Sequence, residues 1–70
     1  MIAKLVDIGL YKGYLYLIKH IYTDIKAFWV IEENHEGEWI EVLKICENQA
    51  DVDSVVNFYL ENRRKSLYEN

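Results

Sequence analysis

The clearest fold signal lies in residues 8–22, which read IGLYKGYLYLIKHIY. The second part of this stretch, residues 14–22, is rich in aromatic and β-branched residues, a composition typical of a β-strand. Lys12-Gly13 directly before it can form a two-residue turn, because glycine tolerates a positive φ. The stretch therefore predicts an antiparallel hairpin that pairs Tyr11 with Tyr14, Leu10 with Leu15, Gly9 with Tyr16 and Ile8 with Leu17.

This register divides the hairpin into two different faces, since paired residues lie on the same side of a sheet. One face is aliphatic and comprises Val6, Ile8, Leu10, Leu15, Leu17 and Ile21. The other is mainly aromatic and comprises Tyr11, Tyr14, Tyr16, Ile18, His20 and Tyr22. The first strand has an alternative, because apolar residues in the segment 2–10 also recur at helical spacing. We favour a strand there.

Residues 25–33 and 38–45 predict a second hairpin around the polar loop 34–37, which ends in glycine. Pairing Ile31 with Ile40 and Trp29 with Val42 makes one face almost wholly apolar. A shift of one residue in the loop would exchange the faces of the partners, so this register is a hypothesis.

The connection between the hairpins determines which of their faces combine. A two-residue turn at Thr23-Asp24 would place the aromatic face beside Trp29 and Ile31. A three-residue connection would place the aliphatic face there instead. We favour the second arrangement, because it gives the sheet one aliphatic core side.

The apolar period changes after Cys46. Val52, Val55, Val56, Tyr59 and Leu60 follow the spacing of an amphipathic helix over about residues 52–66, with Asp51 at the N-cap position. The chain of 70 residues is short enough for one domain only. We therefore predict a single α+β domain over residues 1–70, a four-stranded antiparallel meander of two hairpins with one C-terminal helix packed on one face (ββββα).

One helix can cover only one face of such a sheet, although 51% of the residues are hydrophobic. A wide exposed apolar surface on a small protein usually marks an interaction site. We therefore predict a non-catalytic protein–protein interaction module that binds a second copy of itself, as a homodimer, or another protein. The predicted interaction face comprises Tyr14, Tyr16, Ile18 and Tyr22, extended by Phe28 and Trp39.

Charge is distributed unevenly along the chain, whose net charge is −4. Residues 32–53 hold eight carboxylates against one lysine, which disfavours binding to a polyanion or a membrane surface. The carboxylates Glu32, Glu33, Glu36 and Glu38 could add selectivity for a basic partner. The longest run without a charged residue, 54–60, is too short to span a membrane, and nothing resembles a signal peptide, so we expect a cytoplasmic protein.

Nucleic-acid binding is the main alternative function. The tyrosines of the aromatic face could stack the bases of a single strand. The basic cluster Arg63, Arg64 and Lys65 could contact phosphates. The spread of the other lysines and the acidic stretch argue against this alternative.

The sequence offers little that indicates catalysis or a cofactor. His20 and His35 have no second ligand at metal-binding spacing, and Cys46, taken as a small buried residue, has no base beside it in the sequence. We therefore expect no enzyme, no metal and no cofactor. The small size, acidity and abundance of Ile, Tyr, Asn, Lys and Glu are typical of bacterial or phage accessory proteins, which commonly act by binding a larger protein.

Overall fold

A computed structural model describes the backbone of residues 2–46 and 51–69 and the side chains as far as Arg63. Four strands form one antiparallel sheet in the order β1-β2-β3-β4, and one helix follows. This confirms the predicted ββββα meander. The elements are β1 Ile2–Tyr11, β2 Tyr14–Tyr22, β3 Ala27–His35, β4 Glu38–Ile45 and α1 Val52–Glu69.

The first hairpin has the predicted register. Tyr11 pairs with Tyr14 and Gly9 pairs with Tyr16. Both turn residues, Lys12 and Gly13, have positive φ angles of 50° and 86°, as a type I′ turn requires. The segment 2–10 is therefore a strand and not a helix. Its pairing is interrupted once, between Leu5 and Asp7, where the extra residue Val6 forms a β-bulge.

Gly9 is required by a close approach across this hairpin. A Cβ atom at Gly9 would lie 2.6–2.9 Å from three atoms of the Tyr16 ring. Because Tyr16 is 7% exposed and belongs to the core, the ring has little room to move away. The missing side chain of Gly9 thus lets the Tyr16 ring lie against β1.

The favoured connection between the hairpins was wrong. Tyr22 pairs with Ala27, so the intervening residues 23–26 form a four-residue turn. Thr23 stabilises this turn, because its backbone N–H donates to the Lys26 carbonyl at 2.8 Å and its hydroxyl oxygen accepts from the Lys26 N–H at 3.2 Å. The even-numbered turn places the aromatic face of β2 on the same side as Trp29 and Ile31.

The register of the second hairpin also differs from the prediction. Its turn is the two-residue type I′ turn Glu36-Gly37, with φ angles of 57° and 89°, and not the loop 34–37. A bulge at Val42 then shifts the pairing, so that Ile31 lies opposite Leu43 and not Ile40. The shift turns Leu43 and Ile45 toward the core and leaves Ile40 45% exposed.

The helix packs on the aromatic side of the sheet. Asp51 caps it as predicted, accepting a hydrogen bond from the Ser54 N–H at 2.8 Å, and this hydrogen bond lowers the pKa of the Asp51 carboxyl. The predicted stripe points inward, and the helix extends to Glu69, beyond the expected end near residue 66. The buried core comprises Tyr16, Ile18, Trp29, Ile31, Val55 and Tyr59.

Candidate interaction surface

The side of the sheet opposite α1, here called the open face, carries the residues that alternate with the core positions. In the described part of the chain no element packs on it. Strand pairing places on it Ala3, Leu5, Ile8 and Leu10 of β1, Leu15, Leu17, Lys19 and Ile21 of β2, Phe28, Val30, Glu32 and Asn34 of β3, and Trp39, Glu41 and Lys44 of β4.

The β1–β2 half of the open face is apolar and exposed. Leu10 is 72% exposed, Leu5 is 58% exposed and Ile8 is 54% exposed. Leu15 is also exposed, whereas Leu17 beside it is partly covered. Contiguous apolar surface of this kind on a folded domain is typical of a site where another molecule binds.

The β3–β4 half of the open face mixes charged side chains with apolar ones, of which Trp39 is 42% exposed. Lys19 forms an ion pair with Glu32 at 2.9 Å, and the Lys44 ammonium lies 4.4 Å from the centre of the Phe28 ring. Val30 is only 4% exposed and lies directly opposite Lys19 on one side and Lys44 on the other. The open face therefore has a largely apolar half on β1 and β2 and a mixed half of charged and apolar side chains on β3 and β4.

A second constellation, the Glu33 cluster, joins the other side of the sheet to the helix. Glu33 is fully buried, and both of its carboxylate oxygens have polar neighbours. Tyr59 OH donates to Oε2 at 2.5 Å, Arg63 Nε lies 2.8 Å from the same oxygen, and His35 Nε2 lies 2.9 Å from Oε1. The Tyr14 ring packs on the His35 ring with the centroids 4.3 Å apart.

The Glu33 cluster holds α1 on the sheet. Its carboxylate has no exposed surface that a substrate or partner could contact in this conformation, and its neighbours come from β3 and α1. Burial, reinforced by the hydrogen bond to Glu33, raises the pKa of the Tyr59 hydroxyl. The chemistry of this cluster is therefore that of a buried polar contact within the fold.

The raised pKa of Tyr59 predicts a loss of stability in alkali. An unfolded tyrosine ionises near pH 10, whereas Tyr59 in the folded chain keeps its proton above that pH. Unfolding then releases a proton, so the free energy of unfolding should be constant up to about pH 9 and fall above about pH 10. Urea unfolding from pH 8 to 11 measures this. The fall should be smaller in Tyr59→Phe, and an identical fall in both proteins would contradict the assignment.

The predicted interaction face is divided between the two sides of the sheet. Tyr16 and Ile18 lie beneath α1 and belong to the core, which corrects their placement on an exposed surface. Tyr14 and Tyr22 lie at opposite ends of that same side and are partly exposed. Phe28 and Trp39 lie on the open face. The reason is the four-residue turn at 23–26, which turns the aromatic face toward the helix.

The predicted acidic contacts are divided as well. Glu33 is buried and Glu32 is paired with Lys19, so neither presents a free carboxylate to a basic partner. Glu36 and Glu38 are exposed at the second hairpin turn.

Of the basic cluster, Arg63 is directed at Glu33, and the side chains of Arg64 and Lys65 lie outside the described residues. Tyr16, one of the tyrosines expected to stack bases, is covered by the helix. Cys46 is exposed and not buried as expected.

Sequence reasoning missed the Glu33 cluster, although two signals point to it. Glu33 continues the inward alternation of Trp29 and Ile31 along β3. Arg63 follows Tyr59 at i+4 and therefore continues the buried stripe of the helix. A carboxylate and a guanidinium on two facing apolar stripes indicate a buried ion pair.

Among the described residues, no helix is long and apolar enough to cross a membrane. No group of three His, Cys, Asp or Glu side chains within residues 2–46 and 51–63 is arranged to hold a metal ion. Comparison of the chain with protein-family models, with curated proteins and with solved structures gives no match.

Proposed function

We propose that this protein is a non-catalytic protein–protein interaction module whose binding surface is the open face. The observation that carries the proposal is the exposed apolar half of that face, formed by β1 and β2 on a domain that already has its own core on the other side. Residues exposed to this extent contribute little to the core, and their apolar character is explained by a surface that another protein covers.

The energetics support a binding role. Burying one large aliphatic side chain stabilises a complex by roughly 1.5–3 kcal/mol. Leu5, Ile8 and Leu10 alone could thus contribute several kcal/mol, which is comparable with the stability of a small domain. The contact surface differs from the aromatic face predicted from sequence, because that face packs against α1.

We also propose that the protein is cytoplasmic. Cys46, the single cysteine of the chain, is exposed and has no partner for an intramolecular disulfide. A fold that is stabilised without disulfides fits a reducing compartment.

Affinity capture with matched variants tests the proposed function. The tagged protein, an Ile8→Glu variant and a Phe58→Glu variant are used to retain proteins from native lysate, with and without nuclease. Ile8 lies on the open face, whereas Phe58 is 52% exposed on the helix. We expect proteins that wild type and Phe58→Glu retain after nuclease treatment and that Ile8→Glu loses. Equal retention by all three proteins, or retention that nuclease abolishes, would contradict the proposal, and the second result would favour the nucleic-acid alternative.

A further inference from the structure

The charges of the open face lie in two adjacent rows that run across all four strands. The acidic row consists of Ile8, Leu17, Glu32 and Glu41, each paired with the next. The basic row consists of Leu5, Lys19, Val30 and Lys44, paired in the same way. Each row is apolar on β1 and charged on β4. On β2 and β3 the rows differ, because the acidic row carries Leu17 and Glu32 where the basic row carries Lys19 and Val30. At the β4 end the two rows carry opposite charges, Glu41 and Lys44.

Two of these charges have no opposite partner within the described part of the chain. Glu41 lies directly opposite Glu32 on β3, and like charges in this position destabilise a sheet. Lys19 neutralises Glu32, but Glu41 forms no ion pair with a described residue. Lys44 lies over the Phe28 ring and likewise contacts no described carboxylate. Glu41 and Lys44 are thus the two charges of the open face that a bound molecule could pair with opposite charges.

A two-fold axis that runs across the strands, between the two rows, brings Glu41 and Lys44 of two copies together. Such an axis exchanges the rows, so that Glu41 of each copy faces Lys44 of the other. It also places Ile8 of each copy against Leu5 of the other and keeps the apolar halves together. Two sheets packed in this way lie about 10 Å apart with their strands within about 30° of each other, the usual geometry of a β-sandwich.

We infer that the open face binds the open face of a second copy of this chain, in a dimer whose two-fold axis runs across the strands between the acidic row and the basic row. The inference rests on the proposed function, because it names the partner of the same surface. The strands contribute two lysines and two glutamates to the open face, which is neutral on a chain of net charge −4. A neutral, self-complementary surface fits a second copy better than a basic partner.

The size of the open face determines how much of it a stable dimer must bury. Four strands about 4.8 Å apart, with about 3.3 Å per residue along each, give a face of roughly 15 by 30 Å. Its accessible area exceeds this projection of about 450 Å², because side chains stand out from the sheet. Stable interfaces bury about 800 Å² on each partner. A stable dimer must therefore cover most of the open face. The proposed axis allows this, whereas a contact limited to β1 and β2 does not.

Sedimentation equilibrium of the full chain with charge-reversal variants tests the arrangement. Wild type should show a reversible monomer–dimer equilibrium in the micromolar range. Glu41→Lys and Lys44→Glu should each weaken self-association by about tenfold or more, because a two-fold axis repeats each like-charge contact twice. An equimolar mixture of the two variants should form a heterodimer with an affinity close to that of wild type, because one copy then presents two positive charges and the other two negative charges.

Glu36→Lys is the control with the same change of charge. Glu36 is exposed in the second turn, where its φ of 57° resembles that of Lys12 in the first turn, so lysine is accommodated there. It should dimerise like wild type, and circular dichroism should show the same fold for all variants. A monomeric wild type, a dimer that is insensitive to both reversals, or a mixture that does not recover affinity would overturn the inference. If capture still depends on Ile8 while the chain is monomeric, the proposed function stands and its partner is a different protein.

Discussion

Glu33→Ala is expected to lower the free energy of unfolding by about 3–5 kcal/mol, the usual cost of removing one partner of a buried ion pair. The substitution leaves the Arg63 guanidinium and the Tyr59 hydroxyl beside an apolar gap, without the carboxylate that both now contact. A chain of 70 residues has a total stability of about 4–10 kcal/mol. The variant should therefore be unfolded or close to unfolding, as measured by urea titration with circular dichroism.

The neighbouring residue on β3 provides the control for this change. Glu32 has the same side chain and also forms an ion pair, but on the open face, where both partners are partly exposed to water. Glu32→Ala should cost less than about 1 kcal/mol in dilute protein. Equal losses of stability for the two variants, or a Glu33→Ala protein as stable as wild type, would show that the Glu33 cluster does not hold the helix on the sheet.

Tyr59→Ala is expected to cost about 3–5 kcal/mol by leaving a large cavity between helix and sheet. The Tyr59 ring is fully buried, and its centroid lies 4.9 Å from that of Tyr16 and 6.0 Å from that of Tyr11. The substitution removes these ring contacts and the hydroxyl that donates to Glu33. The measurement is the urea unfolding midpoint, followed by circular dichroism and by tryptophan fluorescence.

Phe58→Ala tests whether this loss comes from burial or from the helix itself. Phe58 precedes Tyr59 in the same helix but points to solvent and is 52% exposed. Its replacement should change the stability by no more than about 0.5 kcal/mol. A large loss at Phe58, or a small one at Tyr59, would mean that α1 packs on the sheet through a different side.

Local signals in the sequence were sufficient for the elements of this fold. The composition of β2, the Lys12-Gly13 turn and the stripe of Val55 and Tyr59 each depend on neighbouring residues. The pairing of Gly9 with Tyr16 followed from the turn type alone, because a two-residue hairpin permits only one register. Such features depend on a few neighbouring residues and can therefore be predicted from the sequence.

The choice of core face could not be made in the same way. Both faces of β2 are apolar, so the pattern of hydrophobic residues does not select one of them. The selection depends on the length of the turn at 23–26, where one residue more or fewer exchanges the faces. The bulge at Val42 had a similar effect on β4. Our preference for an aliphatic core was wrong for this reason, and the aromatic side proved to be the core.

Two residues of the predicted interaction face, Tyr16 and Ile18, were therefore placed on an exposed surface although they belong to the core. The expectation that one helix leaves one face of the sheet uncovered agrees with the structure. The most exposed aliphatic residues on the uncovered face are Leu5, Ile8 and Leu10. The Glu33 cluster could have been found only by treating a charged residue at an inward position as part of the core. Sequence reasoning assigned Glu33 to the solvent, as is appropriate for most glutamates.

The bulge at Val6 has a consequence for how chains can meet. β1 is an edge strand of ten residues whose outer backbone groups could template the growth of fibres from further copies. The extra residue breaks the regular repeat of these groups near the middle of the strand and adds local twist. Lateral addition of further copies along β1 is thereby opposed, which is compatible with the proposed dimer of two molecules and not with a fibre.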